Sequence, residues 1–147
     1  MIIRLCTSFL ILFFLISCSK EKEVLYEPSK RIDPYQLYKD GLDSLNKNDF
    51  FFANKKFSEA ELNFEKPDLA AKAAIMSCYS LYGMNFYNEA EENLKRYLIT
   101  YPADKNTIYA HYLLAIVFYE QISDEKKDLQ PLLKADKQID YFLKNFP

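Results

Sequence analysis

Residues 86–102, "FYNEAEENLKRYLITYP", decide how this chain folds. Ala90 is followed four residues later by Leu94, and Pro102 stands twelve residues after Ala90. The alanine followed four residues later by a large apolar residue recurs twice, and the twelve-residue step to proline recurs once, from Ala135 to Pro147. Upstream, Phe50-Phe51-Phe52-Ala53 leads to Phe57 and then Pro67; downstream, Leu132-Leu133-Lys134-Ala135 leads to Ile139 and then Pro147. Ala53 and Ala90 lie 37 residues apart, Ala90 and Ala135 lie 45 apart. A second small residue precedes the first two alanines by twelve positions, Gly41 before Ala53 and Cys78 before Ala90. One small residue on each of two neighbouring helices lets their axes approach, and large residues then fill the grooves between pairs. A self-similar period of this length points to stacked helix pairs.

The rest of the chain agrees. Hydrophobic spacing predicts helices over about 34–47, 50–65, 69–84, 87–101, 107–122 and 129–145, broken at residues 46–49, Pro67, 83–85, Pro102 and 123–128. Asp33-Pro34 supplies an N-cap and a first-turn proline for the first of them. Only two glycines leave few tight hairpin turns, and strand-type alternation is absent. The expected fold is all-α: a helix-hairpin solenoid over residues 34–147, with repeats at about 34–67, 69–102 and 107–147. It resembles the tetratricopeptide repeat, whose basic period is about 34 residues. The excess length of the third unit falls in "ISDEKKDLQP" (122–131), and the repeat's tryptophan position is filled by Leu37 and Ala74.

The first seventeen residues read differently. Arg4 precedes an apolar run from Leu5 to Ile16, about twelve residues, interrupted only by Thr7 and Ser8. A membrane-spanning helix needs about 20 residues, so the run is too short to span. Charge followed by a short apolar run is the order of a secretory signal. Leu15-Ile16-Ser17-Cys18 resembles a bacterial lipobox, whose cysteine is acylated and becomes the mature N-terminus; the alternative is an ordinary signal with a chance cysteine. Several acyl chains make a durable anchor, because each buried CH₂ contributes ~0.8 kcal/mol. In that class of signals Ser19, rather than an aspartate, after the cysteine implies passage to the outer membrane. Residues 1–17 are then a signal peptide. Residues 18–33, polar, charged and interrupted by Pro28, are a flexible tether on the periplasmic face.

Charge and cysteine use narrow the function. Removing Arg4 with the signal leaves 18 basic against 21 acidic residues, a net charge of −3. A nucleic-acid binder would carry a basic stripe instead. With Cys6 removed and Cys18 acylated, Cys78 stands alone; no disulfide framework is available, and a small buried helix residue is expected. A single histidine excludes a His/Cys metal cluster. No Gly-rich phosphate loop or G-x-S-x-G elbow is present. We therefore expect no catalysis, metal or cofactor beyond the lipid on Cys18. His111 is read as a packing or surface residue, and "DEKKD" (124–128) as a solvated loop, with partner contact the alternative. Glu89, Glu91 and Glu92 suit the positive end of the fourth helix.

Tyrosines are the more informative feature. In tetratricopeptide arrays the first helix of each pair lines a concave groove. Projection from Gly41, Cys78 and Ala115 as equivalent positions turns Tyr38, Leu42, Ile75, Tyr79, Tyr82, Tyr112, Ile116 and Tyr119 toward it. Aromatic rings with polar tips suit a half-wet surface that takes the side chains of an extended peptide. The competing role for each is packing between repeats.

Three successive stretches resemble the BamD family of lipoproteins, which serve the machinery inserting β-barrels into the outer membrane: "GLDSLNKNDFFFANKKFSEAELNFEKP", "AAIMSCYSLYGMNFYNEAEENLKRYLITYP" and "YAHYLLAIVFYEQISDEKKDLQPLLKADKQIDYFLKNFP". The third is the most telling, with Tyr109-Ala110-His111-Tyr112-Leu113 leading into Tyr119-Glu120-Gln121-Ile122. The resemblance implies a non-catalytic scaffold that binds unfolded barrel precursors through its N-terminal repeats. It also implies contact with BamA through C-terminal repeats, and this chain stops after the third of the family's five. The alternative is a generic periplasmic repeat lipoprotein acting as adaptor for cell-wall enzymes. At the C-terminal end, Leu132, Ala135, Ile139, Phe142 and Phe146 are expected under the fifth helix, with Leu129, Leu133 and Leu143 unsheltered. The stop is expected to be a truncation, or a surface of association.

Overall fold

The structure, a computed structural model, describes residues 33–122 and 128–147. The signal, Cys18 and the tether through residue 32 lie outside the described residues, as does the "DEKKD" loop apart from Asp128. The described residues form α1 (Pro34–Asn46), α2 (Phe50–Asn63), α3 (Pro67–Gly83), α4 (Tyr87–Thr100), α5 (Thr107–Glu120) and α6 (Gln130–Asn145), with no strand among them. Each helix packs on the next in chain order, and α3 also touches α5. Three hairpins therefore stack side by side, with α1, α3 and α5 in one row and their partners in the other.

The caps follow from local chemistry. Asp33 Oδ1 accepts from the Tyr35 backbone N–H at 3.0 Å, and Asp49 Oδ1 accepts from that of Phe52 at 3.1 Å. Each satisfies an amide that a helix start leaves open. Pro67 does not end an element: it is the first residue of α3, where its missing N–H loses nothing. Between the hairpin arms the turns are copies. Asn48 and Asn85 both adopt the left-handed conformation, at φ 56° and 60°. The Asn48 N–H reaches the Leu45 carbonyl and that of Asp49 reaches Ser44; Asn85 to Tyr82 and Phe86 to Leu81 repeat this 37 residues later. Asparagine tolerates that conformation better than other residues bearing a Cβ.

Packing bears out the small-residue pattern. Ala53 and Ala90 are fully buried and Ala135 is 2% exposed, and Cys78 is fully buried in the same cluster as Ala90 and Ala135. Phe57, Leu94, Tyr97 and Val117 are completely enclosed, each worth about 1.5–3 kcal/mol of burial. One expectation fails. Leu132 and Ile139 are each 41% exposed rather than covered by α5. Their helix docks on α5 through Ala135, Gln138, Phe142 and Phe146 instead. The counterparts of Ile139 in α2 and α4, Phe57 and Leu94, are fully buried. Among the described residues no third row closes over α6. Leu129, Leu133 and Leu143 are exposed as expected, at 55–65%.

Candidate functional site

On the side formed by α3 and α5, two pairs of tyrosines lie one helical turn apart. Tyr79 and Tyr82 come from α3, ring centroids 6.4 Å apart, and Tyr109 and Tyr112 from α5, 6.3 Å apart. Spacing of three residues puts both members of a pair on one helix face. The pairs are neighbours. Burial pushes the Tyr109 phenol up to about 12, with Tyr79, Tyr112 and Tyr82 adding to the effect. Tyr82 is raised by burial, then by the Glu120 carboxylate and by Tyr87, Tyr79 and Tyr112. The Tyr82 and Tyr109 phenols therefore keep their protons at pH 7, with hydroxyls that can donate as well as accept. Tyr109 and Tyr112 keep 39% and 48% of their surface, and Tyr79 and Tyr82 are half-buried against the core.

Rigid neighbours hold the patch. Phe50 meets Tyr79 edge-on at 6.4 Å, Tyr87 backs Tyr82 at 6.2 Å, and Phe142 of α6 backs Tyr112 at 6.1 Å. Tyr119 lies further along α5, 62% exposed, with Ile116 half-buried between. On α1, Tyr38 packs edge-on against Phe57 at 5.2 Å with the Lys72 ammonium of α3 5.1 Å above its ring. Leu42 is 37% exposed. Ile75 is misplaced by the projection. It is 4% exposed and belongs to the core, out of reach of any ligand. Tyr109 was missed, although it stands one turn before Tyr112 on the same stripe.

Polar groups elsewhere tie the helices together. Arg96 of α4 forks onto Glu61 of α2, with nitrogen–oxygen distances of 2.7 and 2.9 Å, and the Tyr101 hydroxyl donates to the same carboxylate at 3.0 Å. Glu91 does more than face a helix end. It is 8% exposed and accepts from Lys95, Lys134 and Gln121, joining α4 to α5 and α6. The same two lysines flank the Phe118 ring, at 5.8 and 5.5 Å. Asp104 accepts from the buried Tyr97 hydroxyl and from Asn106, fixing the α4–α5 loop. His111 packs under α6, its ring 4.9 Å from Tyr141 and 5.5 Å from Phe146, its Nδ1 3.2 Å from Gln138. Burial raises the Cys78 thiol to about 12, so it is not a thiolate nucleophile. Among the described residues no group of three or more His, Cys, Asp or Glu side chains is placed to hold a metal, and no helix is long and apolar enough to cross a membrane.

What the tyrosine face offers is ring faces and hydroxyl tips. Residues 30–147 match the YfiO family, described as an outer membrane lipoprotein. The chain is 33% identical over 92 residues to the outer membrane protein assembly factor BamD of Caulobacter vibrioides, covering 63% of this chain and 30% of that protein. To the protein of the same name in Rickettsia prowazekii it is 27% identical over 111 residues, covering 76% of this chain and 44% of that protein. The chain thus spans less than half the length of these relatives.

Proposed function

The chain belongs to the YfiO family of outer membrane lipoproteins, and we propose that it acts as a non-catalytic scaffold in β-barrel assembly, holding extended segments of unfolded outer membrane proteins on its tyrosine face. The observation that carries this reading is the cluster of Tyr79, Tyr82, Tyr109 and Tyr112 across α3 and α5, half-open and backed by packed rings. Barrel strands alternate apolar and polar side chains. An extended strand laid across this face sets alternate side chains on the rings, while the hydroxyls meet its backbone. The lipid on Cys18 holds the domain at the periplasmic face of the outer membrane, and the assembly machinery supplies its protein partners; the BamA contact that the resemblance implies belongs to C-terminal repeats beyond those of this sequence.

Two measurements test this. Tyr79→Ala with Tyr112→Ala weakens binding of a barrel-derived peptide by ~1–2 kcal/mol per anchor, with helicity unchanged; binding equal to wild type removes the site. Photocrosslinking from position 109 in cells captures barrel precursors, whereas capture of cell-wall hydrolases would favour the adaptor role. For the anchor, Cys18→Ser leaves the protein unlipidated and outside the detergent phase. An unmodified cysteine in the wild-type mature protein would end the lipoprotein assignment.

A further inference from the structure

The junction between successive hairpins is built twice, 37 residues apart, and differently. At the first, Gly83 ends α3, and the ring of Phe50, the first residue of α2, lies 2.5 Å from where a Cβ would stand. Phe50 also meets Tyr79 edge-on. At the second, the glycine's place is held by Glu120, the last residue of α5, and the phenylalanine's by Tyr87, the first of α4. A glutamate side chain takes the room that the ring uses at the first junction. Tyr87 lies instead against Tyr82 of its own hairpin, centroids 6.2 Å apart and planes at 47°, with its hydroxyl donating to Asn85 at 2.9 Å. Tyr79, Tyr82 and Tyr87 thus form a row of tilted, half-buried rings beside a carboxylate.

The features gathered here share one sign. Glu120 is exposed, raises the Tyr82 phenol and makes no ion pair with a described residue. α3 and α5 pack together and both end here, neither with a basic residue in its last turn. Helix C-termini carry partial negative charge and favour cations. Ring faces do the same: a cation within about 6 Å of a ring centroid is attracted to it. We propose that Tyr82, Tyr87 and Glu120 receive the ammonium or guanidinium group of a lysine or arginine on the bound segment. The inference rests on the tyrosine face holding an extended segment, and adds a preference for positive charge at one polar position of that segment. The rings take the alkyl stem and the charge, and the carboxylate pairs with it. The site lies among α3, α4 and α5 and uses no surface of α6.

The probes are versions of one barrel-derived peptide with lysine, glutamine or glutamate at each polar position in turn. They are titrated onto the full chain in detergent by fluorescence anisotropy. At one position lysine should bind about threefold to tenfold tighter than glutamine, with glutamate weakest, and the gap should narrow with salt. Glu120→Gln should erase the lysine preference. Glu120→Lys should turn it into a preference for glutamate, a gain that only folded protein can show. Tyr87→Phe, which keeps the ring, should preserve the preference, and Tyr87→Leu should lower it. Equal binding of the three versions at every position, or a preference that survives Glu120→Lys, overturns the proposal and leaves the peptide face standing. Binding of none removes the face itself, and the cation site with it. A wild type indifferent to charge that gains the lysine preference on Lys126→Gln with Lys127→Gln would assign Glu120 to this chain's own loop, and overturns the proposal equally.

Discussion

The ring of Phe57 lies 2.7 Å from the point where a Cβ on Gly41 would stand. Gly83 is in the same position under Phe50, at 2.5 Å, so both glycines of the chain lie beneath a phenylalanine of α2. Neither glycine has a positive φ; what each supplies is the absence of a side chain.

Gly41→Ala sets two effects against each other. Alanine in a helix interior gains about 1 kcal/mol over glycine. Phe57 is fully enclosed and cannot swing aside, and overpacking of that kind costs about 1–3 kcal/mol. The clash wins, for a net loss of roughly 1 kcal/mol. Gly83→Ala should be milder, because Phe50 is only partly buried and Gly83 ends its helix. Urea melts of the two variants should rank them in that order. Pairing Gly41→Ala with Phe57→Leu should recover part of the helix gain, and a strictly additive pair would disprove the steric account.

Core and face separate cleanly at Ile75 and Tyr109. Ile75→Ala opens a cavity in the main cluster and should lower stability by ~2–4 kcal/mol, without changing peptide affinity where the protein is folded. Tyr109→Ala, at a side chain 39% exposed, should do the reverse: a small stability change and weaker peptide binding. Thermal melts and peptide titration of each variant decide it; peptide affinity lost in Ile75→Ala alone would mean the face has been drawn on the wrong stripe.

Cys78 offers a probe of the fold itself. Its thiol is enclosed and raised to about 12 by burial, so native protein at pH 8 should resist maleimide. In urea the label should go on at the rate of a free thiol. Rapid labelling of the native protein would show that α3 opens locally, contrary to its place at the centre of the core.

Helices were legible here because they repeat. Predicted and observed boundaries differ by at most two residues, and the alanines at 53, 90 and 135 are all buried. What sequence hides is which elements meet. Ile75 and Tyr79 share one stripe by spacing, yet α3 is packed on three sides, and only the structure shows that Ile75 turns inward. Glu91 looks like a helix-end charge until Gln121 and Lys134, 30 and 43 residues away, close on it. Ile139 obeys the same rule as Phe57 and Leu94, but burial there depends on a neighbour above it, which no periodicity within one helix reveals.

Acid should unfold the domain in two stages. Burial lowers the His111 pKa below its ordinary 6.5. Its unfolded form therefore binds protons more readily, so this contribution to stability is complete above 6.5 and is lost as the pH falls through the folded value. The groups facing it are Gln138 and Tyr141 of α6 and Phe146 just past its end, none of them a carboxylate that would hold the cation. Loosening of α6 should come first. For Glu91 and Asp104, burial alone opposes the charge, but hydrogen bonds from Lys95 and Lys134 to the first, and from Tyr97 and Asn106 to the second, outweigh it. Both carboxyls sit below their ordinary 4.5 and 3.8, and their stabilisation is complete above those values and lost as the pH falls through the folded ones. Melting temperatures measured from pH 8 to 3 should fall gently below 6.5 and steeply below 4.5. His111→Phe should flatten the first limb and Glu91→Gln the second. A His111→Phe profile parallel to wild type between those limits would show that the imidazole has no part in holding α6.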